Sequence, residues 1–169
     1  QDSLALAFRE SLFQSVSFLT GTAFSIADWS SWDPLSQGLL MLFMAIGGMA
    51  GSTSGGLKVI RTVLLARHAG QEVFRMVHPH AVSPLKLGER IVPERFRAAF
   101  LGFFFVYVAT MVAGTLLLAL HGVPLEAAFG STFACLNITG AALEPVGNPD
   151  FYATLPASVK GILAFFMLL

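Results

Sequence analysis

The chain has 169 residues, 55% of them hydrophobic and 12% charged, with a formal net charge of zero and a mean hydropathy of +0.73. A soluble domain carries about 25% charged residues, so this composition excludes an ordinary water-soluble fold and points to a membrane protein. A single cysteine, Cys135, excludes a disulfide framework and a cysteine-built metal site.

Residues 4–19 are apolar with Arg9, Glu10 and Gln14 interspersed. That is short for a full crossing, which takes about 20 residues, and predicts a re-entrant helix. A small, hydroxyl-rich turn follows at residues 20–25, then a loop at 26–32 with Trp29 and Trp32 as interfacial residues. Asp33-Pro34 reads as a helix start, with Asp as N-cap and Pro in the first helical position. Residues 35–67 are long enough to cross a bilayer but are interrupted by Gly47-Gly48-Met49-Ala50-Gly51-Ser52-Thr53-Ser54-Gly55-Gly56-Leu57-Lys58. Irregular backbone at membrane depth is tolerated only where it is buried in protein or lines a watery cavity, so this stretch reads as a break facing a pore.

Residues 69–93 hold Pro79, Pro84 and Pro93 with several charges and predict an extramembrane loop. His68, His78 and His80 are irregularly spaced with no cysteine beside them, which argues against a metal site. Residues 96–121 predict the one uninterrupted spanning helix, since 98–120 carry no charge. A turn at Gly122-Val123-Pro124 leads to a second short helix at 125–136, whose Glu126, Ser131 and Thr132 resist lying in lipid. Asn137-Ile138-Thr139-Gly140-Ala141-Ala142 follows, then a loop at 143–155, and Pro156 opens a last helix that runs to Leu169. The chain starts at Gln1 and stops inside an apolar run, so it reads as a piece of a longer protein.

Eight of the ten Lys and Arg residues lie between Lys58 and Arg97, with only three acids among them. The positive-inside rule makes this the cytoplasmic side. The order of elements also recurs. A short helix with an acid and a Phe three residues on (Glu10/Phe13, Glu126/Phe129) leads into a small polar turn (Thr22-Ala23, Thr139-Gly140), an acidic loop and a crossing helix. One crossing inward and one outward separate the two copies, so both turns lie on the same outer side. Inverted repeats would suggest a secondary transporter with discontinuous helices, binding Na+ or a small solute at mid-membrane. Re-entrant helices repeated in one orientation build a cation filter instead, with backbone carbonyls and Thr oxygens replacing the ion's water. Residues 51–58 are not a phosphate loop, because no Lys-Ser/Thr follows the last Gly and no strand precedes it. No catalytic motif occurs, and no enzyme activity is expected.

The run from Gly47 through Lys58 to Val59-Ile60-Arg61 closely resembles the signature of Trk-type potassium uptake proteins, in the Trk/Ktr/HKT superfamily of cation transporters. Residues 20–28, His78-Pro79 and residues 155–169 support the resemblance, which spans essentially the whole chain. It implies an all-α integral membrane fold of tandem helix–pore-loop–helix units, of which this chain is the C-terminal portion. Residues 1–68 correspond to a third unit without its first helix, 69–94 to a cytoplasmic loop, and 95–169 to a fourth unit truncated in its second helix. The implied filter is Thr20, Gly21, Thr22, Ala23 and Phe24 with Asn137, Ile138, Thr139, Gly140 and Ala141, binding K+. The implied gate is Gly47, Gly48, Gly51, Ser52, Thr53, Ser54, Gly55 and Gly56, with Lys58 just inside it. Ala23 stands where the family has a filter glycine, and Ala141-Ala142 replace a Pro-Gly, which leaves K+ against Na+ selectivity open. The resemblance further implies the bacterial inner membrane, lipid contacts, the N-terminal half of the same subunit, a homodimer and a cytoplasmic nucleotide-binding regulatory subunit. It implies neither a cofactor nor a nucleic-acid partner.

Overall fold

The computed structural model describes residues 4–78, 86–87, 90–140, 146 and 150–168. Helix α1 (Leu4–Thr20) ends at Gly21, and a single 3-10 turn (Trp29–Ser31) leads to α2 (Pro34–Ile46). Asp33 caps α2 as its sequence predicts. Its carboxylate accepts from Leu35 N at 3.1 Å, Ser36 N at 3.4 Å and Ser36 Oγ at 2.8 Å. The Ser36 hydroxyl is the main influence holding this carboxyl below its ordinary value.

Helix α2 stops at Gly47, whose φ of 68° is open only to a residue without a Cβ clash. The chain resumes as α3 (Val59–Val77), so the crossing is broken where the glycine stretch predicts. The helix does not stop near residue 67, however; residues 69–77, expected in the loop, are its last turns. Gly70 alone does not break it, and the first residue that forbids helix is Pro79, which disfavours the α conformation at His78. The ring of His78 stacks on Phe74 at 4.8 Å, and His68 lies 3.9 Å from Glu72. His80 lies outside the described residues.

A two-residue antiparallel ladder (β1, Lys86–Leu87; β2, Arg90–Ile91) pairs Lys86 with Ile91 and Leu87 with Arg90, where only loop was expected. Helix α4 (Glu94–Leu120) is 27 residues, or roughly 40 Å at 1.5 Å per residue. Within its apolar part, Phe96–Leu120, the most apolar window has a mean hydropathy of 2.2, and only 17% of that window is buried inside the chain. A face that apolar and that open is satisfied by lipid or by further membrane helices, and it is the one described helix both long and apolar enough to span alone. The short helix α5 (Leu125–Leu136) has the expected bounds, and α6 (Phe151–Thr154) and α7 (Ala157–Met167) close the described chain.

Packing divides into two clusters that follow the sequence repeat. Phe18 of α1, Leu40 and Met44 of α2, Trp29 and Phe133 form one. Leu118 of α4, Ala127, Ala128, Ala134 and Cys135 of α5, and Val159, Leu163 and Phe166 of α7 form the other. Trp29 is buried inside the chain, with its ring edge-on to Phe18 at 5.3 Å. Phe133 sits on α5 but packs into the α1–α2 cluster, so it joins the two halves. Helix α5 is almost wholly enclosed, because α4 covers one side and α7 another. At Gly114 an added Cβ would lie 2.6 Å from Thr132 Cγ2, so this glycine sets how closely α4 approaches α5.

Candidate functional site

Helices α1 and α5 end in the same backbone turn. After α1, Gly21 N donates to Phe18 O (3.3 Å), and Thr22 N and Ala23 N both donate to Ser17 O (3.1 and 3.4 Å). After α5, Ile138 N donates to Cys135 O (3.1 Å), and Thr139 N and Gly140 N both donate to Ala134 O (3.0 and 3.3 Å). The threonine hydroxyls repeat too: Thr22 Oγ1 reaches Ser17 O at 3.3 Å and Thr139 Oγ1 reaches Ala134 O at 3.2 Å. The two turns therefore superpose at a shift of 117 residues.

Positive φ angles follow the same register. Gly21 (75°) and Ala23 (53°) flank Thr22, while Ile138 (56°) and Gly140 (71°) flank Thr139. Ala23 thus adopts the left-handed conformation of its counterpart Gly140, and Gly21 corresponds to Ile138. An L-residue there costs roughly 1–2 kcal/mol. Ala23→Gly is expected to stabilise the full-length protein by about 0.5–1 kcal/mol, once the greater unfolded-state freedom of glycine is set against the relieved strain. A raised unfolding midpoint in detergent is the measurement, and a lowered midpoint contradicts it.

The glycine loop fits between these turns. An added Cβ at Gly21 would meet Ser54 Cβ at 3.3 Å. One at Gly55 would overlap the backbone C and O of Asn137, and one at Gly56 would lie 2.9 Å from Asn137 Oδ1 and from Ala45 O. These contacts demand glycine for closeness of approach, and Gly56 also has a φ of 80°. Thr139 Oγ1 additionally reaches Met44 Sδ at 2.8 Å, tying the second turn to the end of α2.

Inside the loop, Leu57 N donates to Ala45 O (3.0 Å) and Val59 N to Gly48 O (3.1 Å), so the chain leaves close to where it entered. Ser54 Oγ accepts from Gly48 N at 2.9 Å and lies 2.8 Å from Ser52 Oγ. The Lys58 ammonium donates to Ser52 O at 2.7 Å and to Ser54 O, and lies 3.4 Å from Ser52 Oγ. A cation held by backbone carbonyls thus closes the loop on itself.

The family model for the cation transport protein TrkH matches residues 2–169. The chain belongs to the TrkH family. It is 39% identical to the Trk system potassium uptake protein TrkH of Salmonella typhimurium, over 99% of this chain and 34% of that protein. It is 41% identical to the TrkH of Vibrio parahaemolyticus, over 83% of this chain and 29% of that protein. The crystal structure of the potassium transporter TrkH from Vibrio parahaemolyticus superposes with a TM-score of 0.89 at 35% identity, over 99% of this chain and 36% of that one. The chain spans about a third of the length of these TrkH relatives.

Within this TrkH fold, Gly21, Ser54, Gly55, Gly56, Asn137 and Thr139 come together. Phe24, Met49, Gly51 and Thr53 do not join them: Phe24 and Met49 are 73% and 77% exposed, Thr53 is exposed, and a Cβ at Gly51 would meet nothing within 4 Å. Ala141 lies outside the described residues. Asn137, expected among the filter residues, turns its side chain inward; it is 1% exposed, and its Nδ2 donates to Phe133 O at 2.7 Å. Two residues that brace the first turn were not anticipated. Ser17 Oγ donates to Phe24 O at 2.7 Å, and the fully buried Gln14 reaches Ser25 Oγ at 3.2 Å. Their spacing of three on an apolar helix, which puts both polar groups on one face, was the available signal.

Proposed function

We propose that this chain is the C-terminal portion of a potassium uptake subunit of the bacterial inner membrane. Residues 1–68 and 95–169 then form its third and fourth pore units, and 69–94 its cytoplasmic loop. The observation that carries the reading is the repeated turn. Alternation of left-handed and ordinary residues lets successive carbonyls face one side, the arrangement a dehydrated cation needs. The C-terminal ends of α1 and α5 add partial negative charge at the same level. The printed names of the relatives support K+ as the cargo.

In this reading the glycine loop is a gate directly beneath the filter, held shut by its own carbonyls and Lys58. The same-orientation repeat favours this over a rocking secondary transporter. Two turns make half of a four-part filter, so the N-terminal part of the subunit supplies the rest. A homodimer in lipid, bound by a cytoplasmic nucleotide-binding regulator, completes the proposal. The test is uptake of rubidium as a K+ surrogate by the full-length protein in potassium-auxotrophic cells. A shorter rigid linker in place of residues 51–56 is expected to raise basal flux, and unchanged uptake overturns the gate.

A further inference from the structure

Tyr107 lies mid-way along the uncharged part of α4. The neighbouring hydroxyls of α4 bond their own helix, Thr110 Oγ1 to Val106 O and Thr115 Oγ1 to Met111 O, both at 2.8 Å. The Tyr107 phenol instead leaves its helix and donates to Asn137 Oδ1 at 3.2 Å, across 30 residues of sequence. Asn137 is held from its other end by Phe133 O, so the orientation of its amide is fixed. The fixed Oδ1 is the atom that a Cβ on Gly56 would strike, and the backbone C and O of the same residue abut Gly55. Asn137 is therefore in contact with α4, the second filter turn and the glycine loop at once.

The first turn has no equivalent. Thr20 is the counterpart of Asn137 in the 117-residue register, and its hydroxyl stays local, on Val16 O at 2.8 Å and Ser17 O at 3.2 Å. At that turn an added Cβ on Gly21 would meet the loop at Ser54, and among the described residues no side-chain hydrogen bond joins the two. We propose that Tyr107 and Asn137 are positioning residues that couple the gate loop to the second filter turn. Displacing the loop then alters how tightly that turn holds a cation, and a cation seated in the turn biases the loop. Such coupling is reciprocal by thermodynamic necessity.

The inference rests on the filter and gate reading above and adds the link between them. Its test uses the full-length protein in proteoliposomes, with rubidium flux measured against external concentration. Tyr107→Phe removes the half-buried donor to the buried Asn137 and keeps the ring. With the loop intact, it is expected to change KM by about three- to tenfold, the scale of one such bond. With residues 51–56 replaced by the shorter linker, the same substitution is expected to change KM by less than about twofold, because the contact it acts through is gone. A structural role for the phenol confined to α4 and the filter would give equal shifts in both backgrounds. Equal shifts, or no shift in either, overturn the coupling. Thr110→Val, which perturbs α4 without touching Asn137, is expected to leave KM unchanged in both, and a shift matching that of Tyr107→Phe also overturns it. If Tyr107→Phe does not reach the membrane, Asn137→Gln, which displaces the amide by one methylene, gives the same two-background comparison. Absence of rubidium flux in the unmodified protein instead removes the transport reading, and an unmodified basal flux in the linker variant removes the gate and the coupling with it.

Discussion

Gly55→Ala is expected to raise basal rubidium flux through the full-length protein by roughly 10–100-fold. A Cβ at this position overlaps the C, O and Cα atoms of Asn137, which are backbone and cannot step aside by changing rotamer. Forcing one methyl group into a closed contact of this kind costs about 1–3 kcal/mol. If the loop is the gate proposed above, the cost falls on its closed form alone, since a loop moved off Asn137 is free of this contact. Each 1.4 kcal/mol taken from the closed state shifts the open population about tenfold. Gly51→Ala is the matched control, because a Cβ there meets nothing within 4 Å. It is expected to leave flux within a factor of about two, as an exposed, uncrowded substitution does. Equal fluxes for the two variants, measured as initial rates at matched membrane abundance, contradict the steric origin of closure.

The second large effect belongs to Lys58. Its ammonium spans the loop by donating to Ser52 O and Ser54 O. Hydrogen bonds from a charged donor contribute about 1.5–3 kcal/mol. Lys58→Met keeps the stem and removes the charge, and is expected to raise basal flux by about 10–100-fold for the same reason of population shift. Lys58→Arg keeps the charge but presents a planar fork in place of a compact ammonium. It is expected to fall between the two, closing the loop less tightly than lysine. Lys58→Arg giving the same initial rate as the unmodified protein would mean that the geometry of the donor does not matter, and Lys58→Met giving that rate would contradict the closing role of the charge.

Much of this arrangement is legible in the sequence because it depends on local backbone chemistry. The Asp33-Pro34 start, the stop at Gly47 and the bounds of α5 each follow from residues within one helical turn of the boundary. The repeat was legible as Thr22-Ala23 against Thr139-Gly140, and the hydrogen bonds of the two turns follow that pairing. The end of α3 falls later than expected, because the charges and prolines of residues 69–93 were weighed together when only Pro79 bears on the boundary. The packing of Trp29 on Phe18 was not legible, because a tryptophan in a loop says nothing about the phenylalanine behind it. The Tyr107–Asn137 bond and the fit of Gly55 on Asn137 were not legible at all. Both are contacts between segments far apart in sequence, and no periodicity or cap signals which distant backbone a glycine must approach.

The matched turns also bear on symmetry. Across residues 20–23 and 137–140 the backbone conformation repeats, yet only Thr22 and Thr139 repeat the side chain. The two turns of this chain are therefore alike in side chain at the threonine rung and unlike at the other three positions. In the proposed filter, the backbone carbonyls would then repeat from turn to turn while the side chains behind them differ. Pseudo-symmetry of this kind leaves each rung free to diverge singly, which a ring of four identical chains does not permit.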